Sequence, residues 1–263
     1  MITKLAILID PNKGDATERL YVTLQEILIE SSDPSTLPLE IWIGDSSEVW
    51  RGVHRYLKKL DDFTSSRGIN LPAVVIFPGH PLQISPLADY IQMPTLLNTH
   101  RFSIKVLVKL GKKYHWISKW ARRLVGKHWP KDRKYGYMIL SPHSTVGKKV
   151  RAFELDDEAA FMEITTKWRK YWWGLYLEAG SGNFGSSVAS RLDLVRRTST
   201  FVHSQGALLV TGGGIRTPEQ IRALSQAGAD ICVVSSVLER VESPKKLIGQ
   251  ILDILMNTPL IHG

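Results

Sequence analysis

The chain has 263 residues, 43% of them hydrophobic and 22% charged, and a formal net charge of +9. That balance fits a globular protein and excludes a disordered chain, a collagen and a coiled coil. One cysteine excludes a disulfide framework and a cysteine-based zinc centre, and no segment reaches the ~18 uninterrupted apolar residues of a membrane-spanning helix.

Short apolar runs alternate with helical patterns along the chain. A strand is expected at 5–9 and a helix over 18–30, then a strand at 39–43 and a helix over 47–60. A strand at 73–77 follows. The link 78–88 is too short for a full helix and leads to a strand at 90–93. Next come a helix over 102–125, a strand at 137–140 and a helix over 156–171. The last units pair strands at 175–177, 207–210 and 231–234 with helices over 187–203, 218–227 and 244–256. Thr217-Pro218 and Ser243-Pro244 each place a capping hydroxyl before a proline at the first helical position. The strands are continuous and rich in Val, Ile and Leu, as in parallel strands buried on both faces.

Eight βα units predict an α/β protein with a single domain over 1–263, a modified (β/α)8 TIM barrel with one reduced helix. At ~150 residues per domain the length suggests two domains, but α/β barrels of roughly 250 residues form one. An open doubly wound sheet is the alternative, yet no Gly-x-Gly-x-x-Gly follows the first strand. No long linker, low-complexity tract or short repeat marks a boundary.

Barrel chemistry belongs where strands run into loops. The first strand ends in Asp10-Pro11-Asn12-Lys13. An Asp at a strand terminus can hold Mg2+, and a nearby Lys can pair with phosphate; the structural alternative is a proline-fixed turn. The sixth strand runs through Tyr176 and Glu178 into Gly180-Ser181-Gly182. Its glycines let backbone N–H groups approach an anion, and a carboxylate at the barrel mouth can act as a general base. The alternative is a glycine loop beside a tethered Glu. The seventh strand leads through Gly212-Gly213-Gly214 to a helix N-terminus, an anion site by its unpaired N–H groups and its dipole. Ser235-Ser236 at the end of the eighth strand can complete the cradle. Together these residues describe a phosphate-binding barrel.

With those motifs in place, the sequence resembles the geranylgeranylglyceryl phosphate synthase family, including its heptaprenylglyceryl phosphate synthase branch. The resemblance runs in order through Ile9 to Lys13, Phe77-Pro78-Gly79, Met93 to Asn98, Gly136 to Pro142, Tyr176 to Gly182 and Gly212 to Arg216. It implies a Mg2+-dependent prenyltransferase that joins a prenyl diphosphate to the hydroxyl of sn-glycerol 1-phosphate, forming an ether and pyrophosphate. It implies that Asp10 and Ser46 sit at the metal and that Lys13 and Ser46 hold the diphosphate. Glu178 and Tyr176 would act at the acceptor hydroxyl. Tyr176, Gly180, Ser181, Gly182, Gly212, Gly213, Gly214, Ser235 and Ser236 would surround the acceptor phosphate. Two segments depart from the family's pattern. Gly44-Asp45-Ser46 stands where the family has Gly-Gly-Ser, and Ser235-Ser236 where it has Gly-Asn. They keep open a second acceptor, 3-phosphoglycerate, as in moenomycin-type relatives. Trp42, Trp50, Tyr90, Trp172 and Trp173 are candidates for an apolar donor groove, with core packing the favoured role for any one of them.

Between Lys105 and Lys134 lie 11 Lys/Arg and one acidic residue, leaving the rest of the chain close to neutral. Trp116, Trp120 and Trp129 are interleaved, as in a helix that docks on an anionic membrane; a solvated barrel face and a subunit interface are the alternatives. Nucleic acid would use the same cluster but leaves the glycine loops unexplained. A phosphosugar isomerase or aldolase would share the phosphate site but not the Asp10 and Tyr176 motifs. No signal-peptide pattern opens the chain, so a cytoplasmic place, peripheral to the membrane, is expected, with assembly into homo-oligomers implied by the resemblance. His80, His143 and His203 lack metal-ligand spacing and read as ordinary surface residues, and Cys232 as a buried hydrophobe.

Overall fold

The computed structural model describes residues 2–44, 51–78, 83, 85–99, 130–180 and 187–257. Eight parallel strands close in chain order into a barrel, β1 pairing with both β2 and β8. They are β1 (Lys4–Ile9), β2 (Leu39–Ile43), β3 (Ala73–Ile76), β4 (Tyr90–Leu96), β5 (Lys131–Ile139), β6 (Gly174–Glu178), β7 (Leu208–Gly212) and β8 (Ile231–Val234). The helices among the described residues are α1 (Asp15–Glu30), α2 (Arg51–Ser65), α3 (Thr145–Val150), α4 (Asp157–Lys167), α5 (Leu192–Ser204), α6 (Pro218–Gln226), α7 (Ser236–Arg240) and α8 (Pro244–Asn257). The described residues of the link between β3 and β4 contain no helix, in line with the expected reduced unit.

Because side chains alternate along a strand, each strand feeds two apolar layers. Leu5, Ile7, Ile41, Val74, Leu175 and Leu209 face outward into a core shared with the helices. Ala6, Trp42, Val75, Tyr135, Tyr137, Tyr176, Val210 and Val233 fill the lumen. The lumen is therefore strongly aromatic: Tyr137 and Tyr176 lie 5.0 Å apart and Trp42 stacks on Phe77 at 5.9 Å. The capping predictions hold. Thr217 and Gln220 form a reciprocal capping box, and Ser243 Oγ accepts from Lys246 N ahead of Pro244.

Two strands run longer than their apolar patterns. β4 passes through Pro94, because its last β3 partner is Ile91 and beyond it the ladder lies on the β5 side alone. That edge-like setting tolerates a proline. β5 begins at Lys131 rather than 137. Its polar start survives because Lys131, Asp132 and Lys134 reach solvent, while Arg133 turns inward and is buried. Helix α4 ends at Lys167, short of 171. There the chain turns back so that Trp168 packs edge-on against Trp172 at 5.3 Å and Phe201 at 5.5 Å. The helix expected over 187–203 is split into a short 3-10 turn at Val188–Ser190 and α5. The helix expected over 102–125 lies outside the described residues.

Arg133 closes the lower lumen, at the N-terminal ends of the strands. Its guanidinium meets both oxygens of buried Glu40, at 2.8 and 3.2 Å. Trp42 Nε1 also donates to Glu40, and Lys4 lies 3.6 Å from it. Tyr90 and Trp173 sandwich the guanidinium at 3.7 and 4.4 Å. One member of the expected membrane-docking cluster is thus an internal plug. Tyr90 and Trp173 serve the same end of the barrel, Trp42 packs from there onto Phe77 and Tyr176, and Trp172 packs outside it, so among the described residues none of these four rings lines the cavity at the mouth; Trp50 lies outside the described residues. His203 is also more than a surface residue: Nε2 pairs with Asp230 Oδ2 at 2.8 Å, and Asp230 in turn accepts from Leu209 N.

Candidate active site

Tyr176 and Glu178 sit two apart on β6, so both point into the barrel mouth. Glu178 is 8% exposed. Its Oε1 accepts from Gly180 N at 2.7 Å, and the Tyr176 phenol stands beside its carboxylate in the same cavity. Burial pushes the Glu178 pKa above the usual carboxylate range, while the Tyr176 hydroxyl and the Gly180 amide pull it back part of the way. Burial and the neighbouring Glu178 charge raise the Tyr137 and Tyr176 phenols well above their ordinary value. The phenols therefore stay protonated.

The glycines after β7 have a steric reason beyond anion binding. A Cβ on Gly212 would stand 2.3 Å from the Tyr176 hydroxyl, and one on Gly213 would stand 2.5 Å from Glu178 Oε1 and 2.4 Å from Gly180 N. Gly213 also has φ of +87°, a conformation that disfavours side chains. Gly213 therefore brings bare backbone up to the carboxylate, and Gly214, at φ +71°, follows it. With Ser235 and Ser236 they line a cavity of about 100 Å³, walled on its apolar side by Leu8, Phe77, Val146 and Val233. A wider hollow of about 420 Å³, including Asp33 and Arg67, lies at the opposite end of the barrel, where connections serve stability rather than chemistry.

Asp10 follows β1 directly; its Oδ1 accepts from Asn12 N at 3.0 Å and its carbonyl from Thr17 Oγ1. Lys13 lies on the same loop and is held by Glu239 of α7, at 2.7 Å to each carboxylate oxygen. Ser235 Oγ donates to the same carboxylate. The structure thus brings Tyr176, Glu178, Gly213, Gly214, Ser235 and Ser236 to one cavity. Gly180 adjoins it as a donor to Glu178, and Gly212 as the residue whose bare Cα admits the Tyr176 ring. Ser46, Ser181 and Gly182 lie outside the described residues. Two residues escape the motif reading as members of the site. Tyr137 falls within the Gly136 to Pro142 segment, but its place at the site comes from register, which sets it opposite Tyr176. Glu239 belongs to a five-residue helix and carries no sequence signal.

The sequence profile of the PcrB family matches residues 4–255. The chain belongs to the PcrB family. Its relatives include the geranylgeranylglyceryl phosphate synthase of Thermoplasma acidophilum, 33% identical over 172 residues, which span 64% of this chain and 61% of that protein, less than two thirds of its length. The corresponding protein of Thermococcus kodakarensis is 32% identical over 217 residues, 77% of this chain and 72% of that one. Among solved structures, (S)-3-O-geranylgeranylglyceryl phosphate synthase from Thermoplasma acidophilum in complex with its substrate sn-glycerol-1-phosphate superposes with a TM-score of 0.73 at 25% identity, covering 96% of this chain and 93% of that one. The enzyme from Thermoplasma volcanium shares the fold, with a TM-score of 0.72 at 23% identity, covering 97% and 92%. In this PcrB-family chain the motifs at the ends of β1, β6, β7 and β8 therefore share one end of one barrel.

Proposed function

We propose that this chain joins a prenyl diphosphate to the hydroxyl of sn-glycerol 1-phosphate, making an ether and releasing pyrophosphate. The observation that carries the reading is a buried carboxylate, Glu178, facing a backbone anion cradle in a family with a relative solved with sn-glycerol-1-phosphate. Gly213, Gly214, Ser235 and Ser236 hold the acceptor phosphate, which orients the acceptor hydroxyl toward Glu178. The allylic carbon–oxygen bond breaks with its electron pair leaving on pyrophosphate. The acceptor oxygen bonds to that carbon, and its proton passes to Glu178. A raised pKa makes Glu178 a better proton acceptor than an exposed carboxylate. Leu8, Phe77 and Val233 keep water from the cationic carbon.

Mg2+ belongs to the same proposal. Among the described residues no three His, Cys, Asp or Glu side chains gather as a metal cage. Asp10 would hold Mg2+ together with Ser46, which lies outside the described residues; one carboxylate suits an ion that takes one or two and keeps much of its hydration. Held there, Mg2+ would supply charge neutralisation for the diphosphate leaving group.

A second acceptor, 3-phosphoglycerate, is favoured by Ser235-Ser236 at the phosphate end. Purified protein with Mg2+, farnesyl or geranylgeranyl diphosphate and either acceptor separates the readings by product mass. The glycerol phosphate ether is expected. An ether with 3-phosphoglycerate alone moves the acceptor, and no ether with either acceptor, longer donors included, overturns the prenyltransferase reading.

We also propose a cytoplasmic protein that touches an anionic membrane through the basic stretch beginning at Lys105. No described helix is long and apolar enough to cross a membrane, which suits surface contact. Arg133 takes no part, being buried against Glu40. Sedimentation with vesicles should rise with anionic lipid content; equal sedimentation with neutral vesicles overturns the contact.

A further inference from the structure

Three contacts converge on Glu239. Lys13 Nζ lies 2.7 Å from both carboxylate oxygens, Ser235 Oγ donates to Oε1 at 3.1 Å, and Arg19 donates to the Glu239 carbonyl. The Glu239 side chain is 12% exposed and that of Lys13 44%, so the carboxylate is held within the fold while the ammonium it grips reaches solvent. The carboxylate bridges the β1 loop, which carries Asp10, and the end of β8, which lines the anion cradle. It receives an ammonium and a hydroxyl much as a phosphate oxygen would.

We propose that Glu239 is a positioning residue that acts through Lys13. It is a built-in counter-anion, holding the Lys13 ammonium and the Ser235 hydroxyl at the barrel mouth until a phosphate group takes them over. No bond forms or breaks; hydrogen bonds and one ion pair change partners. The affinity of the mouth for an anion is then the difference between two pairings of the same lysine. A tethered carboxylate competes at high effective concentration, which weakens anion binding and favours release of the anionic product. The identity of the anions, a prenyl diphosphate and pyrophosphate, rests on the function proposed above; the exchange of partners does not.

The test is calorimetric titration of the full chain with inorganic pyrophosphate in Mg2+ buffer, without a prenyl donor. Glu239→Gln keeps the side-chain length and removes the charge. It should bind pyrophosphate about tenfold more tightly, the scale of one gained charge-assisted hydrogen bond. The gain should vanish when Lys13→Gln is added, and Glu239→Asp, which keeps the charge, should bind like the parent. Thermal melts confirm that each variant is folded. Equal or weaker binding by Glu239→Gln overturns the proposal, as does a gain that persists without Lys13, a Glu239→Asp protein that behaves like Glu239→Gln, or no measurable binding by any of them. Because no turnover is needed, a chain that shows this ranking but forms no ether retracts the proposed function and leaves the role of Glu239 standing.

Discussion

Glu178 shows how a single residue trades stability for chemistry. Its carboxylate is buried beside Tyr176, with Gly213 packed against it, and its pKa is raised mainly by desolvation. Between the unfolded and folded pKa values the folded chain binds more protons than the unfolded one, so stability falls as pH rises through that window and returns as pH drops. Above that window the full penalty is present. Glu178→Gln should therefore abolish most turnover, a loss of at least ~100-fold for a general base. The same change should raise the melting temperature by about 2–4 °C, the response to roughly 1 kcal/mol in a chain of this size. Activity and melting curves on one preparation check both, and a variant that loses stability along with activity would count against the burial argument. In the parent, activity should fall on the acid side with a midpoint above that of an exposed carboxylate. The opposite case is Cys232. Its thiol is pushed up to about 12 by burial and is inert, as its apolar strand suggests.

Among the elements, β5 is the instructive strand. Its first residues read as the tail of a basic surface segment, yet Arg133 faces the lumen and pairs with Glu40 across it. Nothing near either residue in the sequence announces the pair, because Glu40 lies on β2 and the contact exists only once the barrel closes. Removing one partner leaves a buried charge unpaired. Glu40→Gln should thus destabilise the fold by about 3–5 kcal/mol, read by denaturant unfolding. Replacing both Glu40 and Arg133 with Met should recover much of that loss, since a well-packed apolar pair often matches a buried ion pair. A double variant as unstable as the single one would show that the plug acts through shape rather than charge. β2 and β8, by contrast, keep the bounds of their expected runs, because both faces of those strands are covered; Glu40 is the one charged position and is paired.

For the whole molecule, the two ends of the barrel divide the work. Ionic and cation–π contacts at Glu40 and Arg133 seal one end, and the glycine turns after β6 and β7 open the other around Glu178. That separation lets the loops at the mouth vary while the lower lumen keeps the strands in register. The eight-unit repeat, the helix caps at Thr217 and Ser243, and the glycine and carboxylate motifs are all legible in the order of residues. Each of these is a local rule of period, backbone freedom or hydrogen bonding. Barrel closure, by contrast, sets Tyr137 against Tyr176, turns Arg133 inward and gives Lys13 and Ser235 to Glu239. Lys13 and Glu239 are separated by most of the chain, as are β1 and β8, and no local pattern encodes a contact that closing the barrel creates.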